Sequence, residues 1–165
     1  MPSGSVGAIA SRVMKPTAFL FGATLSGAMA LGCSGGSAGS GADASFPAAA
    51  FSSMTSVQGG LNIEVRTAPS QPPPQGIDTV EYVITSGGTS GGPAGGVPQD
   101  GLALTVVPWM PDMGHGASIT PTVTAMGDGH YVIADVELFM PGTWELRTTI
   151  AGPLEDSVAP SFQIP

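Results

Sequence analysis

The segment Gly127-Asp128-Gly129-His130-Tyr131-Val132-Ile133-Ala134-Asp135-Val136-Glu137-Leu138-Phe139-Met140-Pro141-Gly142-Thr143-Trp144-Glu145-Leu146 sets the architecture. Val132, Ala134, Val136 and Leu138 recur at every second position, with Asp135 and Glu137 between them. That period belongs to a half-buried β-strand. Trp144, Leu146, Thr148 and Ile150 repeat it, with Glu145 and Arg147 facing out. Proline and glycine at Pro141-Gly142 stand in the order of a type II turn. A hairpin pairing Leu138 with Leu146 would set Glu137 opposite Arg147, a favourable cross-strand pair.

Outward from this segment the alternation recurs. Leu61, Ile63 and Val65 form one run, Val80, Tyr82 and Ile84 a second, and Leu102, Leu104 and Val106 a third. Ile119, Val123 and Ala125 form a fourth, and Val158, Phe162 and Ile164 close the series. Seven short strands divided by turn signals predict an all-β, immunoglobulin-like β-sandwich over residues 57–165. Tyr131, following a Gly/Asp corner, resembles the tyrosine corner of such sandwiches. Residues 86–100 carry no apolar pattern and read as a linker. Helices are disfavoured by 25 glycines and 16 prolines in 165 residues, because glycine costs about 1 and proline about 3 kcal/mol inside a helix.

The first half has another logic. Arg12 and Lys15 precede the nearly uncharged Thr17–Leu31, the pattern of a secretory signal over residues 1–32, with Met1 or Met14 as the start. It ends in Ala30-Leu31-Gly32-Cys33, which resembles a bacterial lipobox and makes Cys33 the expected lipidation site. Cys33 is the sole cysteine, so a disulfide framework is excluded. Residues 33–56 read as a flexible Ser/Gly/Ala tether. The expected location is the cell envelope, anchored to a membrane by lipid. By general resemblance to lipoproteins, Ser34 favours the periplasmic face of an outer membrane.

Past Cys33 only Arg66 and Arg147 stand against twelve acidic residues, a formal charge of −10. Nucleic acid is excluded as a partner, since its phosphates require many lysines and arginines. No serine-histidine-acid signature or phosphate-cradling loop is present, and the chain is read as non-enzymatic.

One stretch carries chemistry: Trp109-Met110-Pro111-Asp112-Met113-Gly114-His115-Gly116. Thioether and imidazole suit copper, and sulfur favours Cu(I). Strand direction brings Met140 to the same end of the sandwich and sends His130 and Met126 to the other. The candidate ligands are therefore Met110, Met113, His115 and Met140, with Asp112 as a harder oxygen. The competing reading makes Trp109, Met110 and Met113 a hydrophobic plug, in a structural or protein-binding module without metal. His130 is read as packing or capping the corner.

Residues 58 to 152 resemble the YtkA-like domain family, related to FixH-like proteins. The resemblance rests on Pro108–Gly116, on Gly129-His130-Tyr131 and on Met140-Pro141-Gly142-Thr143-Trp144. It implies copper handling in the envelope or support of respiratory-oxidase assembly, with an envelope protein as partner. It also implies Met110, Met113 and His115 as ligands.

Overall fold

The computed structural model describes residues 44–87 and 96–165. Its strands are β1 (Ser52–Thr55), β2 (Leu61–Ala68), β3 (Gly76–Ser86), β4 (Ala103–Met110) and β5 (His115–Gly116). They continue with β6 (Thr122–Gly127), β7 (His130–Leu138), β8 (Gly142–Ala151), β9 (Asp156–Val158) and β10 (Ser161–Ile164). Two antiparallel sheets form, one ordered β1-β2-β3-β7-β6 and the other β10-β8-β4-β5, with β9 also alongside β8. The described residues form an all-β sandwich.

The alternating residues build its core. Leu61, Ile63, Val65, Val80, Tyr82 and Ile84 face inward from one sheet. Val106, Trp144, Leu146, Ile150 and Phe162 meet them from the other. Removing each such side chain from water contributes about 1.5–3 kcal/mol. The register joins Ile63 to Ile84 and Val65 to Tyr82, so apolar residues of β2 and β3 stack on the same face.

Strand β7 departs from the predicted alternation. Its core residues are Tyr131, Ile133, Val136 and Leu138, not the series from Val132 and Ala134. The pairing with β3 shifts between Asp78 and Val80, while Asp135 adopts φ 61°. This is a β-bulge, in which one extra residue reverses the side-chain phase. Aspartate enters that left-handed region more easily than most residues.

The β7–β8 hairpin does not form either. β7 pairs with β3 and β6, whereas β8 pairs with β4, β9 and β10. Phe139–Pro141 instead crosses between the sheets. Glu137 therefore does not face Arg147: its Oε2 accepts Ser118 N–H at 2.6 Å and Ile119 N–H at 3.1 Å. Arg147 bonds Glu145 at 3.0 Å and lies 4.7 Å from the centre of a Trp109 ring.

Smaller corrections follow the backbone. The tether expected to reach residue 56 stops earlier, because Ser52–Thr55 pairs with β2. The fourth strand begins at Thr122, leaving Ile119 outside it and Ala125 exposed on the sheet edge. The last strand is two, broken at Ala159-Pro160. The end of the 86–100 linker runs back along β3, with Ser86 N–H donating to Val97 O at 2.8 Å and Gln99 N–H to Ile84 O at 2.9 Å. Tyr131 clamps the same segment. Its hydroxyl donates to Gln99 O at 2.8 Å and accepts Leu102 N–H at 3.1 Å, so its partners lie ahead of β4 and not a few residues upstream as in a tyrosine corner. The signal segment, Cys33 and the start of the tether lie outside the described residues.

Candidate metal centre

The motif folds as a narrow hairpin. Gly114 N–H donates to Met110 O at 2.9 Å, and Gly114 takes φ 68°, which suits a residue without a Cβ. The turn sets Trp109 opposite Gly116 and Met110 opposite His115. Directly opposed residues in an antiparallel pair project to one face with Cβ atoms about 4.5–5.5 Å apart. Met110 and His115 are therefore neighbours at the end of the second sheet.

The three apolar residues of the motif have different fates. Met110 is 3% exposed and belongs to the core. Its methyl occupies the space over Gly142, where an added Cβ would stand 2.5 Å from Met110 Cε. Trp109 lies on the outer side of β4 beneath Arg147. Met113, 56% exposed, projects from the turn. Of the expected plug, only Met110 fills the sandwich.

His115 lines a cleft of about 100 Å³ with Ser118, Glu137, Phe139, Met140 and Trp144. Met140 is brought there by the crossing from β7 to β8, which Trp144 Nε1–H braces by donating to Met140 O at 2.9 Å. Met140 keeps 37% of its surface open. The structure thus brings His115 and Met140 into one cleft, with Met110 below Gly142 next to it. Neither Met110 nor Met113 lines the cleft itself, and Asp112 is exposed on the turn. Glu137 also lines the cleft, a residue sequence reasoning placed elsewhere. No local signal marks it, because its partners Ser118 and Ile119 lie in a connecting segment.

The imidazole has a defined free nitrogen. His115 Nδ1 lies 3.1 Å from Gly116 O, and a carbonyl can only accept. In the neutral ring Nδ1 then carries the proton and Nε2 keeps its lone pair, the second-nitrogen bonding common to metal-ligating histidines. Among the described residues, no three His, Cys, Asp or Glu side chains group as a metal site. A metal here would depend on thioethers. Met110 and Met140 would give soft thioethers and His115 an imidazole, a donor set that fits Cu(I) and suits zinc poorly.

The crystal structure of 'as isolated' FetP of uropathogenic E. coli strain F11, expressed recombinantly in the periplasm of E. coli BL21(DE3), resembles this chain at a TM-score of 0.46 and 14% identity. That likeness covers 69% of this chain and 93% of the other. No curated protein matches the chain. The YtkA-like family model matches residues 58–149, from just ahead of β2 into β8 and across the motif, the β6–β7 corner and the crossing. This span exceeds half of the sequence, and the chain belongs to the YtkA-like family.

Proposed function

We propose that this domain is a lipid-anchored envelope module that holds Cu(I) as cargo for transfer and performs no catalysis. The observation carrying this reading is the shared cleft of His115, from β5, and Met140, from the crossing between the sheets, with the buried Met110 directly opposite His115. His115 Nε2 and the Met140 sulfur would bind at the rim, and Met110 would give a fixed thioether below. Met113, free on the turn, would close over the ion. The signal-like residues 1–32 and the lipobox ending in Cys33 support the envelope placement.

Competition of residues 34–165 against a chromophoric Cu(I) chelator tests the site. Saturating Cu(I) should raise the melting temperature, since a ligand at 100 times its Kd adds about 2.7 kcal/mol to folding. The joint change Met113→Leu and His115→Gln should abolish the shift at a stability cost of about 1–2 kcal/mol. No shift in the parent, or equal binding by the double variant, rejects the copper reading. The anchor is tested by Cys33→Ser, which should release the protein from membranes; unchanged partitioning rejects lipidation.

A second reading draws on Ile77, Ile119 and Phe139, which stay exposed beside Glu137 and the cleft. Such a rim fits a protein-docking module without metal, and the same titration separates the two readings.

A further inference from the structure

The opposite end of the sandwich holds the second histidine in a different setting. His130 opens β7, and its Nδ1 lies 2.8 Å from Oε1 of Glu81. Glu81 is itself buried on the outer side of β3, and its Oε2 accepts Arg66 Nη1–H at 3.0 Å. Arg66 also bonds Glu64 at 3.0 Å. The carboxylate is thus fixed in place and orients the imidazole in turn. In the neutral ring Nδ1–H donates to Glu81, and Nε2 keeps the lone pair.

His130 lines a cleft of about 260 Å³ with Met126, Val132, Phe46 and the carboxylate residues Glu81, already held by Arg66 and His130, and Asp128. Met126 is 50% exposed and takes no part in the core, so its thioether is free. A buried carboxylate holding the far nitrogen of a histidine is the outer-shell arrangement that sets the tautomer of metal ligands.

We infer that His130 Nε2 and the Met126 thioether form a second, weaker site for a soft monovalent cation, Cu(I), at the β6–β7 corner. Nitrogen and sulfur donors define the class. Two donors in an open cleft, against three or four at the His115 end, set the order of affinity. This site does not depend on the His115 reading.

Titration of the protein with Cu(I) against a chelator series should show two binding steps separated by about tenfold or more in affinity, each tenfold being 1.4 kcal/mol. His130→Gln should remove only the weaker step, and His115→Gln only the stronger. Met126→Leu, at an exposed position, should weaken the second step by about tenfold and carries the test if His130→Gln fails to fold. Ag(I), a redox-inert stand-in, should shift the His130 ring resonances in the parent, and the same shift should need about tenfold more Ag(I) in Met126→Leu. Two unchanged steps in His130→Gln, or a single step lost with His115→Gln, overturns the inference. A single step lost with His130→Gln and kept in His115→Gln supports it and rejects the His115 site instead.

Discussion

At the β6–β7 corner most polar groups are answered, the buried Arg66 Nε excepted. Asp100 accepts Gly129 N–H at 2.9 Å, Tyr131 bonds two backbone groups, and Glu81 holds both Arg66 and His130. At the crossing end the accounts stay open. Asp78, core-facing near the start of β3, is 1% exposed, and neither carboxyl oxygen has a hydrogen-bond partner. It pairs with Val136 in the strand that leads to Phe139, Met140 and the His115 cleft. One end is locked by polar complementarity and the other by shape.

If shape locks the crossing end, Trp144→Ala should be the most damaging change, at about 3–5 kcal/mol. Thr143→Ala, on the adjacent outward position, should cost under about 0.5 kcal/mol. Urea unfolding measures both, and equal losses would remove the shape argument.

Asp78 sharpens the contrast through pH. Burial pushes its carboxyl up to about 6 from 3.8. The folded state therefore binds more protons than the unfolded chain between those values. The stability so gained is whole below about pH 4 and is lost as pH rises through 6, a fall of up to about 3 kcal/mol. Asp78→Asn should flatten the profile between pH 4 and 8 and be the more stable protein at pH 8. Asp156 has the opposite sign: burial pushes its carboxyl up, but hydrogen bonds from Ser56 and the backbone of Gln58, Ser157 and Gly60 together outweigh it and leave it lowered. It acts at the acid limb below this window. A wild-type profile that is flat from pH 4 to 8 would mean that Asp78 has a partner.

The smallest of the three effects belongs to the locked end. Tyr131→Phe keeps the ring and strips the hydroxyl from Gln99 O and Leu102 N, at a cost of about 1–3 kcal/mol for groups left unpaired. Hydrogen exchange should quicken at Leu102 while the crossing end stays protected. Uniform loosening at both ends would show that they are not separate.

Much of this was legible in the sequence, for a definite reason. The period of two in β2, β3, β4 and β8 records which side meets the core, and those strands run without interruption. It fails in β7 because the bulge at Asp135 changes phase without a glycine to mark it. β1 is invisible because Ser52–Thr55 joins the sheet by backbone pairing with little apolar content. Met140-Pro141-Gly142 reads alike for a turn within one sheet and a passage between two. Strand direction was enough to set His115 and Met140 at one end. The separate fates of Met110 and Met113 depend on the gap above Gly142, which only packing reveals.

The passage between sheets also fixes when the molecule can fold. Until β7 is available, β3 has only β2 beside it. Until β8 is available, β4 has only the two residues of β5. A chain cut before Gly142 holds at most the first sheet, with its apolar face uncovered. Long-range pairings of this kind must close large loops before they are rewarded, which slows folding and leaves nascent chains sticky. The last quarter of the polypeptide is thus the trigger that lets the earlier strands commit.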